Sequence, residues 1–290
     1  MSLKIKRNIP LAPYTTLKIG GIADYFTECK TEEEVIEALL FASEKKMPYY
    51  ILSGGSNVLV SDAGFRGIII KIKTLTLRID GAKVSSEAGV SLPLLAKKTT
   101  GHGLSGLEFG IGVPGTVGGA VYGNAGAFGQ ETKDVVNSVC IARRETDSKI
   151  AEFSNEMCEF AYRDSIFKRH KDWIILSAVF TLKKDSKENC EKRMMEMLKN
   201  KTTNQPMGEL AAGSIFKNPP VTPAWRLIDE AGMRGAYFGN AKVSTQHANY
   251  FINTGGATAA DFLALIRLIK DKVQEKCGIQ LEEEIQFVGF

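Results

Sequence analysis

Three observations predict an α+β protein made of two or three compact units. The chain is 290 residues long, enough to bury a full core and to divide. Segments of helical and of strand period alternate along it, separated by turns rich in Gly and Pro. Residues 110–129, GIGVPGTVGGAVYGNAGAFG, hold eight of the 28 glycines, about four times their share, so the backbone there is shaped for more than ordinary packing.

Taken in order, the elements begin with Thr31-Glu32-Glu33-Glu34, a capping-box signature opening a helix through Val35, Leu39 and Leu40 that Pro48 stops. A strand over 49–52 runs into Ser53-Gly54-Gly55-Ser56-Asn57, a tight turn rich in donors, and on into the apolar run Val58-Leu59-Val60. A second turn, 62–67, leads to a strand over 68–72. These elements make residues 1–75 a first unit, small and α/β in character. Strands at 77–79 and 83–86, a helix near 92–98, the glycine stretch, and strands at 139–141, 150–153 and 173–182 belong to a second unit, 76–200. A helix over 187–201 closes that unit with Cys190, Met194, Met197 and Leu198 on one face, a packing stripe. Asn204-Gln205-Pro206-Met207-Gly208 breaks the pattern and opens a third unit, 201–290. It holds a helix near 225–231, strands at 241–244 and 250–253, and a long helix. Thr258 and Asp261 cap that helix, Phe262, Ile266, Ile269 and Val273 form its apolar face, and Gly278 ends it. A strand over 284–288 finishes the chain.

Composition excludes several classes. With 44% hydrophobic and 24% charged residues, and Lys plus Arg exceeding Asp plus Glu by four, there is no nucleic-acid footprint. The clusters Arg143-Arg144 and Lys168-Arg169-His170-Lys171 read as solvated faces. Residues 109–130 carry no charge, and Gly115, Gly119 and Gly123 have the GxxxG spacing of packed membrane helices. Pro114, Thr116, Asn124 and the glycines leave too few bulky apolar side chains for lipid to hold that stretch. Five scattered cysteines without a CxxC pair give neither a disulfide frame nor a metal site, and read as core thiols in a reducing compartment. No apolar signal-peptide core follows the amino terminus, so the expected location is the cytoplasm.

Residues 110–115 spell GxGxxG, yet no strand directly precedes them and no clean helix follows, so the dinucleotide fingerprint fails on context. No Walker loop is present. What remains is two glycine turns, 53–57 and 113–119, on neighbouring units. Such turns suit a long dinucleotide whose diphosphate lies between them and whose flat ring lies beyond.

The order of motifs carries a resemblance. Leu17-Lys18-Ile19-Gly20-Gly21, the run from Ser53 to Val60, Gly106-Leu107-Glu108-Phe109 with the run from Val113 to Ala120, and Asn124-Ala125-Gly126 come first. Tyr162-Arg163-Asp164-Ser165, the run from Gly213 to Pro219, His247-Ala248-Asn249 and Leu281-Glu282-Glu283-Glu284 follow. Together they resemble the UDP-N-acetylenolpyruvoylglucosamine reductase family, in its shorter type II form without a tyrosine-bearing loop over the substrate. Ile22, where a proline is usual, and Gly123, where a larger residue is common, depart from the pattern.

The resemblance implies a two-subdomain FAD-binding domain of the PCMH/vanillyl-alcohol-oxidase-like kind and a C-terminal α/β substrate-binding domain. It implies non-covalent FAD, NADPH as reductant, a UDP-sugar substrate and a place in bacterial peptidoglycan synthesis, with neither membrane nor nucleic acid as partner. Hydride passes from NADPH to the flavin and then to C3 of an enolpyruvyl ether, so charge builds at C2 and in its carboxylate. By position, Arg163 meets that carboxylate, Ser214 gives the proton to C2, and Glu284 acts beside the carboxylate in protonated or hydrogen-bonded form. The cofactor contacts fall on Gly54, Gly55, Ser56, Asn57, Val58, Val113, Pro114, Gly115, Val117, Gly118, Gly119 and Asn124. Lys217, Asn218, Gln246 and His247 are nominated for the substrate. Without the resemblance, Arg163 reads as a surface ion pair with Asp164 or another neighbour, Ser214 as a turn residue and Glu284 as a solvated acid. The competing reading is an FAD-dependent oxidase of a small alcohol or sugar on the same fold, a class that often ties its flavin to histidine. Three histidines, none inside a glycine turn, disfavour it, and His102 and His170 read as surface residues. A binding module without catalysis is the third reading.

Overall fold

The computed structural model describes residues 3–143 and 150–290. Two compact units interleave along the chain. One gathers Met1–Lys6, Tyr25–Gly54 and Gly67–Lys201, and the other Arg7–Asp24, Gly55–Arg66 and Thr202–Phe290.

The first unit is built on an antiparallel sheet in the order Ile150–Ser154, Val136–Arg143, Trp173–Thr181, Lys83–Glu87, Leu77–Asp80. A second pairing in it is parallel, Tyr49–Leu52 against Phe65–Ile72, with Tyr49 opposite Ile68 and Leu52 opposite Lys71. Helix α1 (Glu32–Glu44) begins where Thr31 accepts the Glu34 N–H at 3.2 Å. The expected capping box is only half made, because the Glu34 carboxylate takes the Lys30 N–H at 2.6 Å instead of that of Thr31. Val35, Ala38, Leu39 and Ala42 form its buried face, and Leu40, expected there, is exposed. One residue beyond Leu39 is a rotation of about 100° around the helix, which takes Leu40 off the stripe. Helices α2 (Leu92–Gly101), α3 (Val117–Tyr122), α4 (Ile166–Arg169) and α5 (Lys187–Asn204) complete the unit. On α5, Cys190 and Met194 are buried as expected, Met197 and Leu198 only half so.

Several strands lie outside the sequence reading, Lys6–Pro10, Ile22–Cys29, Ala211–Ser214 and Tyr237–Phe238 among them, and the strand expected over 68–72 starts at Phe65. In Lys6–Pro10 four of the five residues are exposed, so hydrophobic alternation gives no signal.

The second unit carries the antiparallel sheet Ala211–Ser214, Tyr250–Asn253, Ala241–Val243, Tyr237–Phe238, with helices α6 (Ala224–Glu230) and α7 (Ala259–Cys277). The α7 capping box is complete, and Asp62 adds a carboxylate that accepts the Ala259 and Ala260 N–H groups at 2.9 and 3.0 Å. Phe262, Ile266, Ile269 and Val273 are buried, and Gly278 ends α7 in the left-handed region. Val58–Val60 pairs in parallel with Gln286–Val288. The last strand thus starts two residues later than expected, because the Glu284 N–H is already held by the Ile215 carbonyl at 2.8 Å.

Within the glycine stretch the only α-helix among the described residues is the six-residue α3, and none of the described helices is long and apolar enough to cross a membrane. His102 and His170 are exposed as expected, His170 stacking on Trp173 with ring centroids 4.0 Å apart. The basic clusters are not simply solvated faces. Arg143 lies over the Trp173 ring at 4.7 Å with its Nε buried, and Lys168 donates to the Arg163 carbonyl at 2.5 Å. Both side chains have an apolar stem that packs under a charged head. Arg144 lies outside the described residues.

Candidate functional site

Two glycine turns far apart in sequence meet inside the first unit. A Cβ on Gly54 would stand 3.0 Å from the Gly115 Cα, and the Ser53 and Thr116 hydroxyls are hydrogen-bonded to each other. Lys71 donates to the Ser53 carbonyl at 3.0 Å from behind, its ammonium pKa lowered by burial and by Lys73. Gly115 has φ +135°, a conformation that only glycine adopts freely. Gly54, Pro114 and Gly119 are exposed, so this crossing faces outward.

Which amides remain for a ligand follows from the hydrogen bonds. Val113 donates to Gly110, Val117 to Val90 and Gly118 to Ala88, so these three N–H groups are already used. Gly118 is a packing glycine, its Cβ position lying 2.9 Å from the Ala88 Cβ. Thr116 is the N-cap of α3 without capping it, because its hydroxyl goes to Ser53. Among the described residues, the Gly115 and Thr116 amides have no acceptor. A cradle of bare backbone without side-chain bulk suits a diphosphate, so these residues fit FAD.

Other nominated cofactor residues serve the protein itself. Asn124 has φ +42° and is fully buried; its Nδ2 donates to Glu131 and Ala161 and its Oδ1 accepts from Lys133. In the second unit, a Cβ on Gly55 would strike the Tyr14 carbonyl at 2.1 Å, Ser56 is half-buried, and the Asn57 Nδ2 donates to the Glu284 carbonyl at 3.1 Å. Val58 is buried and opposite Gln286.

Arg163 sits at the tip of a turn closed by reciprocal hydrogen bonds between Ala161 and Asp164, with φ +54°. Its Nη2 donates to the Gly126 carbonyl at 3.0 Å, and its guanidinium lies 5.1 Å from the Tyr162 ring centre. Asp164, one neighbour that a surface role would use, pairs with Arg169 at 3.1 Å. Arg163 is thereby tied to the glycine stretch.

Lys201, which the sequence reading passed over, is the other cation here. It continues the inner face of α5 after Cys190, Met194 and Met197, and is only 9% exposed. Its Cδ is 2.6 Å from where a Gly112 Cβ would stand. Burial, and then the positive charge of Arg163, push its pKa down to about 8. The signal was its place on the apolar stripe. At the other end of α5, Arg193 grips the fully buried Glu108, just before the glycine stretch, through Nε at 3.1 Å and Nη2 at 2.9 Å, and also meets Asp185. Burial alone would raise the Glu108 pKa, yet the Gly106 N–H at 2.6 Å and Arg193 outweigh it and hold the carboxyl below its usual range.

In the second unit, Ser214 ends the strand Ala211–Ser214 just after Gly213 at φ +74°. Its side chain is half-buried, and among the described residues its hydroxyl has no hydrogen-bond partner. The Ile215 carbonyl accepts from Glu284 and Ile285, and Phe216 bridges to Glu283, so the Ser214 and Glu284 segments run side by side. Asn249 clamps that turn, accepting from the Phe216 N–H at 2.9 Å and donating to the Phe216 carbonyl at 2.8 Å. Glu282 and Glu283 are taken by Lys217 and Lys270, and Glu284 is half-buried between its neighbours.

The residues nominated for the substrate all have protein contacts. Lys217 pairs with Glu282, and the Asn218 Oδ1 accepts the Ala224 N–H at the start of α6. Gln246 donates to the Thr202 and Thr203 carbonyls at 3.3 and 2.9 Å, and His247 packs edge-on to Tyr250. Among the described residues, no group of three His, Cys, Asp or Glu side chains could hold a metal.

The family model for the C-terminal domain of UDP-N-acetylenolpyruvoylglucosamine reductase matches residues 205–288, and that for an FAD binding domain matches residues 23–145. The chain is 43% identical over 292 residues to the UDP-N-acetylenolpyruvoylglucosamine reductase of Carboxydothermus hydrogenoformans, covering 100% of this chain and 95% of that one. It is 40% identical over 287 residues to the protein of that name from Caldanaerobacter subterraneus, covering 99% and 94%. Among solved structures, the UDP-N-acetylenolpyruvylglucosamine reductase (MurB) of Thermus caldophilus superposes with a TM-score of 0.85 at 35% identity, covering 99% of this chain and 100% of that one. Identity of this extent over nearly the whole length leaves no room for a merely shared fold: the chain belongs to the UDP-N-acetylenolpyruvoylglucosamine reductase family and carries its FAD-binding domain.

Proposed function

We propose that the chain reduces UDP-N-acetylglucosamine enolpyruvate to UDP-N-acetylmuramate with NADPH as reductant, in the bacterial cytoplasm and for peptidoglycan synthesis. The observation that carries this reading is the side-by-side course of the Ser214 and Glu284 backbone segments, Ser214 bearing a hydroxyl that has no hydrogen-bond partner among the described residues. FAD, when bound, supplies the carrier that takes hydride from NADPH and delivers it to C3 of the enolpyruvyl ether.

The chain's own residues do the rest. Gly54 and Gly115 hold a diphosphate against bare backbone. Arg163 offers a guanidinium fork to the substrate carboxylate as its charge grows, and Glu284 shares a proton with that carboxylate. Ser214 holds the proton destined for C2, a centre basic enough after hydride arrival to take it from a hydroxyl. Lys217, Asn218, Gln246 and His247 are proposed to meet the UDP portion by exchanging their present partners for it. Residues 1–75 and 76–200 are proposed as two subdomains sharing the cofactor, and 201–290 as the substrate domain.

Ser214→Ala tests the reading by separating two half-reactions in stopped-flow absorbance. Bleaching of the yellow enzyme by NADPH stays within about threefold of wild type, while anaerobic recovery of colour with the enolpyruvyl sugar slows about 100-fold to 10,000-fold. Recovery within about tenfold of wild type, or equal slowing of both halves, removes Ser214 from the chemistry. Wild-type enzyme that regains colour with oxygen but not with the sugar is an oxidase instead.

A further inference from the structure

We infer that Lys201 is a second cation for the substrate, held beside Arg163 to receive the negative charge that the enolpyruvyl group gains as hydride reaches it. The inference rests on the reductase reading above.

The geometry singles Lys201 out. Every other residue of its stripe on α5 is apolar or a thiol, and a methionine would fill the same space without charge. Its stem instead crosses Gly112, where a Cβ would stand 2.6 Å from the Lys201 Cδ and force one of them to shift, so glycine suits the lysine above it. Among the described residues, its ammonium has no hydrogen bond or ion pair. The charged group whose field reaches it is Arg163, of the same sign, whereas Gly112 brings no charge. Glu108, the acid just before the glycine stretch, faces Arg193 at the far end of α5. Burial and like-charge repulsion both work against the protonated form, and an anion arriving between the two cations offsets both.

The reaction supplies an anion whose charge changes. Before reaction the enolpyruvyl group carries a single carboxylate charge. Hydride adds to C3, the C2–C3 π pair moves to C2 and into the carboxylate, and the group holds two negative charges until C2 takes a proton. One guanidinium matches the first charge. A second cation matches the increment and so stabilises the transition state more than the bound substrate.

Lys201→Met keeps the stem and removes the charge. It is expected to retain FAD, to bleach with NADPH within about threefold of wild type, and to melt at the same temperature or higher because the repulsion with Arg163 is gone. Recovery of colour with UDP-N-acetylglucosamine enolpyruvate slows on the order of 100-fold. In wild type that recovery falls as pH rises above about 8, where Lys201 gives up its proton. The methionine variant lacks this fall, and Lys201→Arg moves it to higher pH. Recovery within threefold in the methionine variant, or loss of rate together with FAD and melting temperature, overturns the inference and leaves Lys201 a packing residue. Wild-type enzyme that the sugar never reoxidises overturns the reductase reading instead, and the inference with it.

Discussion

Gly54 shows what a single missing methyl does. Its Cβ would press on the Gly115 backbone at 3.0 Å, and backbone yields less readily than the end of a side chain. Gly54→Ala is therefore expected to destabilise the protein by about 1–3 kcal/mol and to lower the FAD content of the purified enzyme, read from the absorbance ratio of flavin to protein. Asn249 is the matching case in the second unit. Asn249→Ala strands the buried Phe216 N–H and carbonyl, at about 1–3 kcal/mol, and slows the sugar half-reaction because the Ser214 turn loosens. Lys201 gives a pH signature in the apoprotein. Its pKa is about 8 folded against 10.5 unfolded, so below pH 8 both states hold the proton and the folded state bears the full penalty. Between the two values the unfolded chain binds more protons, and stability rises with pH. Urea unfolding at pH 7.5 and 10 is expected to show about 2–3 kcal/mol more gain in wild type than in Lys201→Met.

At the scale of elements, α5 is a brace as well as a packing helix. Arg193 holds Glu108 at one end and Lys201 crosses Gly112 at the other, so one helix fixes both sides of the approach to the glycine turn. Glu108→Ala frees the Gly106 N–H and one arm of Arg193. A loss of about 1–3 kcal/mol is expected with weaker FAD retention on dilution, since Asp185 still satisfies the arginine. The α7 cap provides the contrast. Thr258→Ala removes one N-terminal acceptor, for about 1 kcal/mol in a urea melt, and leaves FAD content unchanged because α7 carries no part of the cradle.

At the scale of the whole molecule, the interleaving of the units has a direct consequence. The segment that the reductase C-terminal family model matches, 205–288, draws its second parallel strand from Val58–Val60, an N-terminal acceptor for α7 from Asp62, and a partner for the Asn253 amide from the Leu17 carbonyl. A fragment of residues 201–290 alone is thus expected to remain largely unfolded by circular dichroism and amide dispersion, while the full chain melts cooperatively. The glycine turns are proposed to hold FAD by backbone contacts, and no histidine lies in either of them. Acid precipitation of the holoenzyme is expected to leave the flavin in the supernatant, and a yellow pellet would mean a covalent link.

The sequence by itself determined whatever short-range physics controls. Period, caps and breakers placed α1, α5, α7 and the strands Tyr49–Leu52 and Tyr250–Asn253 close to their observed bounds. The order of the motifs carried the family, and with it Arg163, Ser214 and Glu284 as site proposals. Only the tertiary structure decided where backbone donors go. It assigned the Val117 and Gly118 amides to Val90 and Ala88, turned Asn124 and Asn57 into struts, and brought Ser53-Gly54 onto Gly115-Thr116 across some sixty residues of chain. It also placed a lysine on an apolar stripe against a glycine that α5 does not contain. Long-range pairing depends on which surfaces meet once the chain is compact, and a local pattern records the tendency of each segment but not the partner that completes it.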